Sequence, residues 1–459
     1  MSRHLHFMGI GGVSMGGLAR HHHAAGDRVS GCDLADGEAL TALRADGIAA
    51  VAGHDPAHLD GDATRGAVDA LVVSAAVAAD APERRAAEAR GLPILRRMDV
   101  LADLFDAHAA LGVTGTHGKS TTSGMLATIL LHAGRDPSVQ LGATLPALGG
   151  VMRYGHGPHL VAEVDESDPG FADLRATVAV VTNLEDDHVA GDHGERRTYH
   201  AAYADLEAAT RRFARGARTL VWCADWPGLD AVVAGHPDAV RYGEAADADY
   251  RVTDLALDGE TAGFVLRGPD ATTDVALHVP GRFNALNAAA ALAAAHRTGV
   301  PLEVGAAALA AFRGVGRRWQ RWGDVRGARI VDDYAHHPTE VAATLQAARA
   351  TGRRVRAVLQ PHRWVRTARH WPALADAAAA ADEVVVLDVY GAGEATIPGV
   401  TRDAIVARIR DAGTPARGAD LPDAVAYLRH DLADGDLVLT LGAGDVWRVA
   451  AALAEEGAA

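Results

Sequence analysis

The stretch AALGVTGTHGKSTTSGMLATILLHAG, residues 109–134, runs from an apolar strand pattern through a glycine-punctuated loop into a strongly apolar helix pattern. Gly115, Gly118, Lys119 and Ser120 occupy the turn between the two. A strand that feeds a helix through such a turn is half of a parallel βα unit, so the fold class it predicts is α/β. Its chemistry points to nucleotide phosphates. Bare backbone N–H groups and a helix N-terminus suit an anion, a lysine reaches the β- and γ-phosphates, and a serine hydroxyl ligates Mg²⁺. Val113 stands where the first glycine of G-x-x-x-x-G-K-[ST] belongs, so the pattern is incomplete. A Gly-Lys-Ser-Thr run between strand and helix still seldom has a structural cause. The expected ligands are ATP and Mg²⁺.

Working outward, the same alternation occurs in three blocks, which predicts three domains, each built on a mostly parallel sheet with flanking helices. The first, 1–107, holds HLHFMGI, RVSGCDL, ALVVSAAV and LPILRR as strand patterns. The second, 108–313, holds the phosphate loop. The third, 314–459, starts near ARIVDDYAHHP and continues through RVRAVLQPH, EVVVLDVYGAGE and GDLVLTLGAGDVW. A Rossmann-like first domain, a P-loop central domain and a Rossmann-like third domain are expected. At 459 residues the chain is too long for one ordinary core.

The first domain opens on a second glycine-rich loop. Gly9 and Gly11 begin a G-x-G-x-x-G pattern, Gly12 adds a further close-approach site, and Ser14 occupies the third glycine position. Asp33 follows the next strand where an acid usually meets a ribose hydroxyl. Alone, this loop leaves NAD, another nucleotide and a plain turn open. A chain with two phosphate loops is not a simple dehydrogenase, which has no use for the second.

Metal needs oxygens, and two strands end in acids. LVAEVDESD supplies Glu163, Asp165 and Glu166; a strand period of two puts Glu163 and Asp165 on one face and Glu166 away, unless the strand has already ended. VVTNLEDDH supplies Asn183, Glu185, Asp186, Asp187 and His188. Carboxyl ends of parallel strands are where open α/β sheets bind ligands. Mg²⁺ prefers oxygen, so His188 serves equally as an outer donor. Further on, Asn284 and Asn287 lie one helical turn apart, a spacing that suggests a ligand or a cap. Arg317 and Arg318 sit at the boundary of the third block. Asp332, Asp333, Tyr334, His336 and His337 crowd one strand end, and His362, Arg363 and Arg366 another. Arginine's fork suits carboxylate or phosphate. His21, His22 and His23 are consecutive on a helix, cannot form one metal site, and are expected on a solvated face. GAG at 442–444 reads as a strand-to-helix turn.

Composition narrows the function classes. Lys+Arg 44 against Asp+Glu 59 gives a net charge of −15, which disfavours nucleic-acid and anionic-membrane binding. The 49% hydrophobic content is globular. No apolar run reaches membrane-spanning length, and two distant cysteines, Cys32 and Cys223, argue against a disulfide scaffold. A cytoplasmic protein is expected.

Taken together, GIGGVSMGG, GTHGKST, AEVDESD, VTNLEDDH, GRFNALNA, VDDYAHHPTEV, LQPHRWVRT, VYGAGEATIPG and LGAG resemble the Mur ligase family in wording and order, across almost the entire chain. These are ATP-dependent amide-bond-forming enzymes of peptidoglycan precursor synthesis, and thus of cell-wall biogenesis, cell shape and division. The resemblance implies that UDP-N-acetylmuramate binds the first domain through Gly9, Gly11, Gly12, Ser14, Met15 and Asp33. It implies ATP on Gly115, Thr116, His117, Gly118, Lys119, Ser120 and Thr121, with Asn284, Asn287 and Arg318 completing that site. Mg²⁺ would rest on Ser120, Glu163 and His188. Tyr334, His336, Arg363 and Arg366 would meet the substrate and L-alanine as the third domain closes. Lys119, Glu163, His188, His336 and Arg363 are the implied catalytic set, with an acyl phosphate as intermediate and a monomer or weak homodimer as assembly. The wording GIGGVSMGG favours the alanine-adding branch over a sister that adds a tripeptide to the same sugar nucleotide. Three positions depart from the family: Ser120 replaces threonine but keeps the hydroxyl, and Phe283 replaces a histidine, exchanging a base contact for stacking. VAGDHGERR, after His188, lacks the usual Asp and Tyr, so no role is carried to that loop.

Overall fold

The computed structural model describes residues 3–61, 64, 66–74, 77–187, 189 and 200–457. His188 and most of the loop after it lie outside the described residues. The chain forms two compact units: 3–189, 200–249 and 290–305 in the first, and 250–289 and 306–457 in the second.

The first unit contains two sheets. Strands β1 (His4–Met8), β2 (Arg28–Asp33), β3 (Ala49–Ala52), β4 (Ala70–Val73) and β5 (Ile94–Arg96) pair in parallel in the order β3-β2-β1-β4-β5. That is the doubly wound order, in which the crevice lies beyond the carboxyl end of β1, where the strand order reverses. The second sheet comprises β6 (Ala109–Thr114), β7 (Ser138–Leu145), β8 (Gly150–Arg153), β9 (His159–Glu163), β10 (Val178–Val181), β11 (Thr219–Cys223) and β12 (Ala239–Gly243). Its order is β12-β11-β10-β6-β9-β7-β8, parallel except for the edge strand β8. The central strands β6, β9 and β10 are apolar on both faces because helices cover both.

The second unit contains an antiparallel meander, β13 (Tyr250–Leu257), β14 (Ala262–Arg267) and β15 (Thr272–Leu277). It also contains a six-stranded sheet: β16 (Gln320–Val325), β17 (Ala328–Asp333), β18 (Arg354–Leu359), β19 (Glu383–Val386), β20 (Ala416–Gly418) and β21 (Asp436–Leu441). The order is β16-β17-β21-β18-β19-β20, with β16 alone antiparallel to its neighbour. Along β21 the side chains alternate between two cores: Leu437, Leu439 and Leu441 enter one and Val438 the other. A period of two with both faces apolar is what a parallel sheet between two helix layers demands. The expected α/β class and its mostly parallel sheets are therefore present.

The histidine run departs from expectation. His21 and His22 are buried, not on a solvated face. Their helix, Val13–Ala24, packs on β7 and β8, where Tyr154 meets the His21 ring edge-on at 5.2 Å and Asp27 Oδ2 lies 2.9 Å from His22 Nδ1. Burial pushes His21 down to about 4. Three adjacent histidines look polar in sequence; a neutral imidazole with a ring contact is an acceptable core residue.

Candidate active site

The phosphate loop lies where its sequence indicates, between β6 and the helix Lys119–His132. Gly115 has φ +129, and a Cβ there would lie 2.2 Å from Thr182 Oγ1, so the tight approach of β6 to β10 requires glycine. Lys119 Nζ donates to the carbonyls of Gly115 (2.6 Å) and Thr116 (3.1 Å) and pairs with Glu166 at 2.8 Å. Burial disfavours the ammonium, but Glu166, Asp165 and Glu163 outweigh it and hold the Lys119 pKa above its ordinary value. β9 ends at Glu163, so the strand period stops applying there, and Glu166 turns inward to the lysine.

Glu163 is the other organiser. Ser120 Oγ donates to its Oε1 at 3.0 Å, and the Gly142 N–H holds its Oε2 at 2.7 Å. Two oxygens of opposite elements converge beside a phosphate loop, a donor set suited to a hard divalent cation such as Mg²⁺. Across the loop, Asn183 accepts from His117 N–H (2.7 Å) and donates to His117 C=O (3.0 Å). Glu185 approaches His117 Nε2 at 2.5 Å, and its backbone N–H donates to the Thr116 hydroxyl oxygen at 2.8 Å. Thr121 is buried in the first helical turn. Glu166, Asn183 and Glu185 thus do more to shape the loop than their polar, acid-rich sequence context revealed.

The glycine loop after β1 borders a cavity of about 670 Å³, lined among others by Gly9, Gly11, Gly12, Asp33, His54 and Ser74. Gly11 makes the closest approach: an added Cβ would sit 2.8 Å from Asp33 Oδ2. Asp33 accepts the N–H groups of Gly11 and Leu34, each at 2.8 Å, so its carboxylate fixes the loop as well as facing the cavity. Ser14 and Met15 are not among the lining residues, and the Met15 side chain belongs to the core.

In the second unit, the sequence-predicted residues converge at the carboxyl ends of β17, β18 and β21. Arg317 and Arg318 place their guanidinium carbons 5.1 and 5.0 Å from the Tyr334 ring centroid, and Arg318 approaches Glu340 at 3.5 Å. His336 Nδ1 bonds the Tyr334 carbonyl at 2.9 Å, and its ring meets that of His362 at 5.6 Å. Arg366 Nη1 donates to His362 Nδ1 at 3.4 Å. Arg363, at φ +67, is held by Glu394, which accepts from its Nε at 2.5 Å. Glu394 lies in the GAGE segment, whose acid the sequence did not single out. Asn284 and Asn287 are buried on the helix Arg282–His296; Asn284 Nδ2 donates to Pro280 C=O (2.7 Å) and Asn287 Nδ2 to Asn284 Oδ1 (3.3 Å). Phe283 packs over Gly281.

Asp333 is buried beneath this cluster and accepts the N–H groups of Trp319 and Ala335, each at 2.8 Å. Burial raises its pKa to about 6, against the opposing pull of Arg318 and the two amides. A raised acid binds its proton more tightly when folded, so its contribution is fully present below the unfolded value of 3.8 and is lost as pH rises through about 6. Relative to Asp333→Asn, the wild type should lose about 2 kcal/mol between pH 4 and pH 7, read from urea midpoints. A difference that stays constant with pH would refute this.

A loop of P-loop wording with a paired lysine, a second glycine-rich loop with its own cavity and mostly parallel sheets define a multidomain α/β protein with two candidate phosphate-binding loops. Residues 4–109 match the Mur ligase family catalytic domain, 113–295 the Mur ligase middle domain and 317–444 the domain described as Mur ligase, glutamate ligase domain. The chain belongs to the Mur ligase family, and it is a ligase of peptidoglycan synthesis. It is 45% identical to the UDP-N-acetylmuramate–L-alanine ligase of Deinococcus radiodurans, over 98% of this chain and 93% of that protein. The crystal structure of the UDP-N-acetylmuramate–alanine ligase of Thermotoga maritima superposes with a TM-score of 0.81 at 27% identity, covering 98% of each chain. A murein peptide ligase from Psychrobacter arcticus shares the fold, with a TM-score of 0.69 at 24% identity over 99% of each chain. Among the described residues no helix is long and apolar enough to cross a membrane.

Proposed function

We propose that this chain joins L-alanine to the carboxylate of UDP-N-acetylmuramate, with ATP converted to ADP and phosphate. One observation supports the reading: the Lys119–Ser120–Glu163 arrangement and a separate glycine loop with its own cavity occur in one chain, which suits a protein that takes two phosphorylated ligands. We place the domains at 1–107, 108–313 and 314–459.

A carboxylate at neutral pH is a poor electrophile. Its oxygen attacks the γ-phosphorus, the bond to ADP breaks, and the acyl phosphate so formed is attacked by the alanine amine; phosphate leaves and the amine sheds a proton. What the protein must offset is the negative charge concentrated in the first step. Lys119, held by its bonds to Gly115 and Thr116, would do so together with the backbone amides at the start of its helix. Ser120, Glu163 and His188 would hold Mg²⁺, which when bound neutralises the β- and γ-oxygens. Asn284, Asn287 and Arg318 are assigned to ATP. Tyr334, His336, Arg363 and Arg366 are assigned to the substrate and amino acid. A cytoplasmic monomer or weak homodimer is the proposed setting.

ADP release should require UDP-N-acetylmuramate and L-alanine together. Absence of ADP with that pair refutes the assignment; turnover with a murein tripeptide but not alanine transfers it to the sister activity. A panel including glycine and serine would define the amino-acid pocket.

A further inference from the structure

We propose that the first domain carries a transition-metal site, suited to Zn²⁺, on His6, Cys32, His58 and Glu83. One ligand atom from each lies within 4.8 Å of all the others. His6 comes from β1, Cys32 from the adjacent β2, His58 from the turn Pro56–Asp60, and Glu83 from the first turn of the helix Pro82–Ala89. Glu83 is fully buried. Its carboxylate lies 2.6 Å from His58 Nδ1, 3.1 Å from Cys32 Sγ and 3.3 Å from His6 Nε2.

The hydrogen bonds around His6 indicate that a cation is wanted. His4 Nδ1 faces the Gly66 carbonyl at 2.9 Å and must donate, so in a neutral ring its Nε2 accepts from the Ser30 hydroxyl at 2.9 Å. Ser30 Oγ therefore accepts from His6 Nδ1 at 2.8 Å. That leaves the His6 Nε2 lone pair, buried and without a hydrogen-bond partner, directed at a carboxylate oxygen. Two acceptors facing each other repel; a proton on His6 or a bound cation relieves the contact, and a metal ion converts it into ligation. A ligating histidine whose other nitrogen is fixed by a hydrogen bond is the usual arrangement at metal centres.

The donor set of two imidazole nitrogens, one thiolate and one carboxylate selects Zn²⁺ or Co²⁺ over Mg²⁺ or Ca²⁺. With bonds of about 2.0–2.3 Å, tetrahedral donors stand roughly 3.3–3.8 Å apart, so the cluster need open by less than about 1 Å. Binding releases the thiol proton, while the His58 proton moves to Nε2, on a ring 24% exposed that offers an entry path. His54 Nδ1, 3.0 Å from Cys32 Sγ and 3.3 Å from Glu83, is an outer positioning residue. The Cys32 carbonyl accepts the N–H groups of Gly9 (2.8 Å) and Ile10 (3.1 Å), which puts the proposed ion directly behind the glycine loop.

The full chain, stripped with a chelator and titrated with Co²⁺ alone, should develop tetrahedral d–d bands and a thiolate-to-cobalt charge-transfer band that saturates at one ion per chain. Zn²⁺ should displace both. Cys32→Ser should abolish the charge-transfer band and Cys223→Ser should retain it. His54→Ala should weaken Co²⁺ binding by about 10–100-fold. Circular dichroism checks the fold, and His6→Ala, which removes a nitrogen but no sulfur, should weaken binding while keeping the thiolate band. A wild-type chain without a thiolate band, or a band that survives Cys32→Ser, overturns the proposal and leaves a hydrogen-bonded cluster only.

Discussion

Replacing Lys119 by alanine should reduce ADP release by about 10³-fold while leaving UDP-N-acetylmuramate binding essentially unchanged. The effect is large because the ammonium is held, not roaming: two carbonyls of its own loop and the Glu166 carboxylate fix it. A preorganised charge costs no reorganisation when phosphoryl charge develops. The same geometry creates a confounding effect. Glu166 is fully buried, and removing the ammonium takes away a charged partner, which destabilises the carboxylate by up to about 3–5 kcal/mol. Loss of activity in the single variant could then reflect lost structure. The double variant Lys119→Ala/Glu166→Gln separates the two, since the neutral amide no longer needs a counter-charge. Its urea midpoint should recover most of the loss, and its turnover should not recover. Restored turnover would make Lys119 a structural residue, and loss of sugar-nucleotide binding in the folded double variant would end the two-site reading.

Why the sequence reveals the loops but not their partners follows from the range of each rule. GTHGKS and GIGG are legible because backbone geometry at a strand–helix turn is local: glycine supplies the positive φ and the close approach, and the helix supplies its N-terminus. That Glu163 and Ser120 lie near one another is legible for the same reason, as both sit at ends of predicted elements. Glu166 was not, because its direction depends on β9 stopping at Glu163, and a period of two carries no information about where a strand stops. His21 and His22 were misjudged because what covers them is Tyr154 and the strands β7 and β8, more than a hundred residues away. His6, Cys32 and Glu83 likewise meet only because β1 and β2 pair in parallel and the helix Pro82–Ala89, about fifty residues on, brings Glu83 to them. Non-local contacts of this kind have no signature in spacing. Glu394 is the same case in the second unit: it holds Arg363 across a loop that sequence alone reads as glycine-rich connection.

Arg317→Ala should destabilise the chain by about 3–5 kcal/mol, a result that distinguishes a brace from a ligand contact. In sequence Arg317 stands at the boundary of the third block, with no partner indicated. The structure instead uses the guanidinium at every edge. Nε donates to Asp332 at 3.0 Å, Nη2 to the Gly442 carbonyl at 2.7 Å, and Nη1 to those of Gly444 (3.0 Å) and Ala443 (3.3 Å). Asp332 is fully buried, its other oxygen taking the Thr440 hydroxyl at 2.6 Å, so the arginine is its counter-charge. The GAG turn is therefore no plain connection, since its three carbonyls are ordered by a side chain from the start of the third block. Lysine cannot reproduce this, because a single ammonium does not span a carboxylate and three carbonyls; Arg317→Lys should recover only a minor part of the loss. Asp332→Asn in the Arg317→Ala background removes the stranded charge, and the double-mutant cycle should return a coupling of about 1–3 kcal/mol. Urea titrations followed by tryptophan fluorescence measure all three. Were Arg317 a substrate contact instead, the alanine variant would unfold at the wild-type midpoint and show its defect in KM.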